Sequence, residues 1–147
     1  MTENASPARQ SAAQINELIL DLWIATERDG PRYDEFDLTG KQHAVLSLIA
    51  TQPELSPHAL AAALGVTKGA ISQHLHTLEL EGYISRRRSD RDRRVQVLQL
   101  EQRGRAYHET MQRFEQYTVD RYLNRLSGAD IAEIIAALQK LKSAFEN

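Results

Sequence analysis

The sequence predicts a mainly α-helical fold carrying one small β-hairpin. Three observations carry this reading. Two capped helical segments separated by a tight turn lie between residues 56 and 82, and an arginine-rich segment then leads into an alternating strand pattern. Long amphipathic stripes occupy both ends of the chain. At 147 residues the chain has the size of one ordinary domain with a modest core.

Ile15, Leu18, Ile19, Leu22 and Trp23 recur at helical spacing and predict a first helix over about 11–27. The polar stretch DGPRYDEFD at 29–37 reads as a turn-rich connection to a second helix over about 39–50. Ser56-Pro57 is an N-cap followed by proline at the first helical position, where its missing N–H costs nothing. The third helix then runs to Leu64 and stops at Gly65, a residue able to take the left-handed conformation that ends helices. Thr67 is the natural cap of a fourth helix ending near Gly82. Ile71, Leu75 and Leu78 form its buried stripe, and Lys68, Gly69, Ser72, Gln73 and His76 occupy the opposite face.

Arg86, Arg87, Arg88, Arg91, Arg93 and Arg94 follow, opposed only by Asp90 and Asp92, which leaves a local charge of +4 on a chain of net charge −2. Guanidinium groups bind phosphate bidentately and stay charged, so the cluster predicts an anion-binding surface. Ser89-Asp90 suits a turn, and Val95, Val97 with Leu98, Leu100 suit a half-buried strand, so the charges fall at a hairpin tip. Beyond it a long helix carries Tyr107, Met111, Phe114, Thr118 and Tyr122. Ser127, with Asp130 three residues on, caps a last helix bearing Ile131, Ile134, Ile135, Leu138, Leu141 and Phe145. A helix-turn-helix unit sets its second helix in the DNA major groove, and an arginine-tipped hairpin directly after it points to the same partner. The amide of Gln73 is suited to bidentate pairing with adenine.

Residues Leu38 to Gly104 resemble the MarR family of winged helix-turn-helix transcription regulators. The resemblance rests on Leu38, Thr39 and Gln42, the Leu60-Ala61-x-x-Leu64 helix, Val66-Thr67-Lys68, the Leu78-Glu79 pair, Gly82 and Ile84. It continues through Arg86-Arg87 and the Asp92-Arg93-Arg94 wing to Leu100 and Gly104. Glu101 departs from the family's usual threonine after the leucine.

DNA contacts are expected from Thr67, Lys68, Gly69, Ser72, Gln73 and His76 on the exposed start of the fourth helix and from Arg91, Arg93 and Arg94 of the wing. The resemblance implies that Asp92 braces an arginine, with Arg94 the first candidate, which leaves Arg93 or Arg91 to enter the minor groove. A single domain over 10–147 is expected, with a DNA-binding lobe at 38–104, dimerisation helices at 10–28 and 105–147, and a disordered segment at 1–9. A homodimer built from the terminal helices would present two recognition helices about one DNA turn apart, which calls for a pseudo-palindromic site. Repression, relieved by a small aromatic or anionic effector, is the family's commoner mode. Trp23, His43, Tyr107 and Met111 are the candidates to line an effector crevice between the dimerisation helices and the lobe.

Other functions find little support in the composition. No cysteine is present, which excludes disulfides and a thiol-based switch. His74 and His76 stand two apart on a helix and cannot chelate together; His43 and His108 could approach each other where the second and fifth helices meet, but without cysteine zinc would need carboxylates as well, and neither a metal nor a cofactor is expected. There is no G-x-S-x-G, Walker loop or H-E-x-x-H motif, so the chain is not expected to be an enzyme. No apolar run approaches the ~20 residues of a membrane span, and MTENASPARQ lacks the features of a secretory signal. A cytoplasmic protein with no membrane partner is therefore expected. The alternative to an effector-controlled regulator is a ligand-independent DNA-binding or architectural protein with the same fold. A dimeric module whose wing binds an acidic protein is a third reading.

Overall fold

Ser6 opens the first helix. Its hydroxyl accepts the Arg9 N–H at 3.3 Å and Pro7 takes the first position, so α1 runs Pro7–Asp29 in the computed structural model, which describes residues 6–30, 34–52 and 55–146. This start is earlier than the hydrophobic stripe indicates, because the Ser-Pro signal at 6–7 is the same one that opens the third helix. Residues 7–9, expected in a disordered segment, form the first turn of α1; residues 1–5 lie outside the described residues.

A short 3-10 turn at Asp34–Phe36 precedes α2, Gly40–Thr51. Thr39 and Gln42 close a capping box: the Gln42 N–H donates to Thr39 Oγ1 and the Thr39 N–H to Gln42 Oε1 at 2.8 Å. Helix α3, Pro57–Leu64, is capped by Ser56 and ended by Gly65 at φ +60°. Thr67 Oγ1 accepts the Ala70 N–H and starts α4, Lys68–Leu80, so only Gly65, Val66 and Thr67 separate the two helices. Gly82, at φ +78°, then turns the chain into strand β1, Ile84–Arg88.

Strand β1 pairs antiparallel with β2, Gln96–Leu100, with Ile84 opposite Leu100, Arg86 opposite Leu98 and Arg88 opposite Gln96. Helix α5, Gln102–Leu123, follows, and α6 spans Gly128–Ser143 behind the Ser127–Asp130 capping box. Glu101, at the family's threonine position, accepts the Ser85 hydroxyl at 2.6 Å (Oγ to Oε1) and ties the start of α5 to β1.

The described residues divide into two compact units, those within 32–112 and those within 1–31 and 113–147. The first holds a contiguous apolar core from Val45, Leu46 and Ile49 of α2, Leu60 and Ala61 of α3, Ile71, Leu75 and Leu78 of α4, and Tyr83, Ile84 and Leu98 of the hairpin region, with Phe36 and Tyr107. This lobe reaches past residue 104, where the sequence reading closed it, because Tyr107 and Thr110 on the first turns of α5 are buried in it. Phe36 belongs to a stretch read as polar and turn-rich, yet it is buried and its ring stands edge-on to Tyr107 at 5.5 Å. In the second unit, none of the described residues is a buried hydrophobic one. Among the described residues no helix is long and apolar enough to cross a membrane.

Candidate nucleic-acid interface

Helix α4 buries one stripe and exposes the other. Ile71, Leu75 and Leu78 are within the lobe core, and Lys68, Gly69, Ser72, Gln73 and His76 are all exposed, as the 3.6-residue period requires. Thr67 is exposed as well. Its oxygen is engaged with the Ala70 N–H, and its O–H is still available as a donor. The cap residue and the first turns of α4 therefore present donors and acceptors from one face of the lobe.

The hairpin next to it sorts its arginines by face. Side chains alternate along a strand, so Ile84, Arg86 and Arg88 share one face with Leu98, and Ser85 and Arg87 share the other with Val97 and Gln99. Arg86, on the face that carries the buried residues, places Nε 3.2 Å from Glu79 Oε2 on α4. Arg88 Nη1 donates to the Arg93 carbonyl at 3.3 Å. Arg87, Arg91, Arg93 and Arg94 are exposed, and among the described residues their guanidinium groups have no protein partner.

The turn at the tip is built by Asp92. The Val95 N–H donates to the Asp92 carbonyl and the Arg94 N–H to Asp92 Oδ1, both at 2.9 Å. This is a β-turn with aspartate at its first position, its carboxylate holding the N–H two residues on. It lies later than the expected Ser89-Asp90 turn; Ser89 instead pairs its N–H with the Val95 carbonyl and accepts the Arg91 N–H on Oγ. The contact between Asp92 and Arg94 thus runs through the backbone of Arg94 and leaves its guanidinium outward.

A cleft of about 240 Å³ opens on the hairpin, lined by Arg87, Arg88, Ser89, Asp90, Arg91, Val97 and Gln99. Arg87 and Arg88 of this cleft are not among the arginines expected from the sequence to contact DNA, which are Arg91, Arg93 and Arg94. The signal for Arg87 is its parity: counted from Ile84, it falls on the face away from the core.

Of the four effector candidates, His43, Tyr107 and Met111 belong to the lobe and Trp23 to the other unit. Tyr107 is buried in the lobe, and its hydroxyl lies 3.2 Å from His43 Nδ1 and 3.1 Å from Ser47 Oγ. Burial lowers the pKa of His43 below its ordinary value and raises that of Tyr107 above its own. Met111 packs partly buried against the same core, and Trp23 is in the other unit, 57% exposed. None of them lines the second cleft of about 240 Å³, which is formed by α1 and α5 residues including Leu22, Arg28, Tyr117, Arg121 and Tyr122. Among the described residues no group of three His, Asp or Glu could hold a metal ion.

Comparison with known proteins meets this geometry at the same segment. The MarR family model matches residues 36–95, which contain α2, α3, α4, β1 and the hairpin turn. An uncharacterized HTH-type transcriptional regulator, YdgJ of Bacillus subtilis, is 25% identical over 103 residues, 70% of this chain and 63% of its own length. The HTH-type transcriptional regulator BilQ of Clostridium symbiosum is 29% identical over 93 residues, 63% of this chain and 65% of its own. Both matches span just under two thirds of the relative. Among solved structures, Streptococcus pneumoniae FabT in complex with DNA is 30% identical with a TM-score of 0.71, covering 92% of this chain and 97% of that one. Matched by the family model through its helix-turn-helix and hairpin, and by FabT along nearly its whole length, the chain belongs to the MarR family.

Proposed function

We propose that this chain is a homodimeric transcription regulator that binds a pseudo-palindromic operator in double-stranded DNA and acts as a repressor released by a small aromatic or anionic effector. The observation that carries the reading is the pairing, on one lobe, of an exposed polar face of α4 with four wing guanidinium groups that have no protein partner among the described residues. The α4 face supplies base readout through Ser72, Gln73 and His76, and Thr67, Lys68 and the Gly69 backbone meet phosphates at the helix N-terminus. Arg91, Arg93 and Arg94, joined by Arg87, supply phosphate and minor-groove contacts. The complex of FabT with DNA supports the same assignment.

The homodimer is supported by what the terminal helices leave uncovered. Ile15, Leu18, Ile19, Leu22 and Trp23 of α1 and Ile134, Ile135 and Leu138 of α6 are all exposed. Apolar surface on this scale marks an interface, and a second copy of the same helices covers it by two-fold symmetry. The effector part of the reading rests on the family resemblance, since Tyr107 and Met111 are used in the lobe core.

Substituting Gln73 tests the readout. Gln73→Ala should weaken binding to a selected operator by about 1–3 kcal/mol and binding to random duplex far less. Equal losses in a titration of the two would remove Gln73 from base recognition.

Asp92 gives a second test. Asp92→Ala deletes the acceptor that shapes the wing turn and should weaken operator binding, although it removes a negative charge beside DNA. Asp92→Asn keeps an oxygen acceptor at the same place and should bind like the parent or better. If Asp92→Ala also binds as well as the parent at equal salt, the turn plays no part and the wing acts as a simple basic patch.

A further inference from the structure

The geometry points to the Glu79–Arg86 ion pair as the device that sets the wing against the recognition helix, making both residues positioning groups that serve the DNA site without touching DNA. This rests on the DNA-binding reading of the same lobe. Arg86 belongs by sequence to the arginine cluster, but its place in the strand separates it from the others. It stands opposite Leu98, and its side chain rises from the face that carries Ile84 and Leu98. There Nε lies 3.2 Å from Glu79 Oε2, with the two side chains 24% and 38% exposed. The Nε atom is itself sealed from solvent and lacks the alignment of a hydrogen bond, so its contact with Glu79 is one of charge.

Both partners are placed by the fold. Glu79 follows the buried Leu78 near the end of α4, and Arg86 stands two residues after the buried Ile84 at the base of the hairpin. Between them only Leu80 to Ser85 intervene, turning at Gly82. Burial falls away along β1, from buried Ile84 through partly buried Ser85 and Arg86 to exposed Arg87 and Arg88. Outward of Arg86, among the described residues, the side-chain hydrogen bonds of the hairpin run within it: Arg88 to Arg93, Arg91 to Ser89, and Arg94 to Asp92. Among the described residues the ion pair is thus the outermost polar tie between the wing and α4. A partly desolvated pair of this kind is stronger than a surface one, and deleting either partner leaves the other charge uncompensated.

A carboxylate on the recognition helix should, on charge alone, repel a polyanion, and its removal should tighten binding. The positioning role reverses that sign. Glu79→Gln and Arg86→Gln should each weaken operator binding about tenfold, on the order expected for a partly buried pair, and the double variant should be no worse than either. The exchanged pair, Glu79→Arg with Arg86→Glu, should recover most of the loss. The slope of log affinity against log salt should fall for Glu79→Gln, which removes no cation, because the loosened wing loses its phosphate contacts.

Amide hydrogen exchange on the free protein reads the same device without DNA. The Ser89 and Val95 amides of the wing should exchange faster in Glu79→Gln, by a larger factor than the amides of the buried lobe residues Leu46 and Leu75 do. Unaltered wing exchange in Glu79→Gln, or operator binding by Glu79→Gln as tight as the parent's, would overturn the proposal. So would additive losses in the double variant with a slope reduced by about 0.9 only where Arg86 is removed, which is the signature of a phosphate ligand. A parent protein that prefers no duplex over another would refute the DNA-binding reading, and the exchange measurement would still decide the ion pair.

Discussion

Ile135→Glu or Leu138→Glu should convert the protein to a folded monomer and lower its operator affinity by about 10²–10⁴-fold, more than any single wing substitution. The magnitude follows from linkage: two half-site contacts in one molecule reinforce each other through effective concentration, and a monomer keeps only one of them. The side chains concerned are 50% and 57% exposed in the single chain, where a large apolar side chain forgoes roughly 1.5–3 kcal/mol of burial. None of the buried hydrophobic residues belongs to α6, so a glutamate there leaves the core of the DNA-binding lobe untouched. Sedimentation equilibrium gives the mass, circular dichroism the fold, and a titration the affinity. A folded monomer that binds a palindromic operator at parental affinity would rule out the two-fold arrangement and any control acting through the spacing of its helices.

Gly104→Ala should be the most destabilising single-methyl change in the lobe. Gly104 is buried on the first turn of α5, and a Cβ there would overlap the carbonyl oxygen of Tyr83 and lie 3.1 Å from Leu100 Cδ2. The carbonyl has little room to move, because it accepts the Glu101 N–H at 2.8 Å and Tyr83 is itself buried, with its hydroxyl donating to the Phe36 carbonyl. Overpacking against a fixed backbone of this kind costs on the order of 3 kcal/mol. For a chain of this length that is a fall of roughly 6–12 °C in Tm. Gly128→Ala, at a site where a Cβ meets nothing within 4 Å, is the control and should stay within about 0.5 kcal/mol of the parent. Equal urea midpoints for the two variants would show that α5 and the hairpin do not meet as closely as described.

The parts of this architecture that were legible in the sequence are those written in local chemistry. Ser56-Pro57, Gly65 and Thr67 each perform a cap or a stop that needs no distant partner, and they place both ends of α3 and the start of α4 where they lie; the end of α4, expected near Gly82, comes at Leu80. The exposed face of α4 follows from its period alone. What escaped notice depends on contacts made across the chain. Phe36 carries no periodicity within its polar stretch, and its burial is decided by Tyr83 and Tyr107, both distant in sequence. Helix α5 gives its first turns to the lobe and its remainder to the other unit, a division that a continuous helical stripe conceals. Arg86 was indistinguishable from its neighbours by composition, and only the register against Leu98 turns it toward Glu79. Asp92 was expected to brace Arg94; its carboxylate accepts the Arg94 backbone N–H and not the guanidinium, a distinction that residue types do not encode. For Tyr107, helical spacing favours core over ligand pocket without deciding between them, and the residue is buried in the lobe with its hydroxyl beside His43 and Ser47.

The central claim is that two copies of α4, held by the terminal helices, read two half-sites of one operator. Footprinting the parent protein on the DNA upstream of its own coding sequence tests it most directly, with a second duplex carrying five extra base pairs between the half-sites. The account predicts two protected patches related by two-fold symmetry and about one helical turn apart, and a loss of at least about 10²-fold in affinity when the insertion rotates one half-site to the opposite side of the duplex. A single protected patch, bound equally well with and without the insertion, would contradict it.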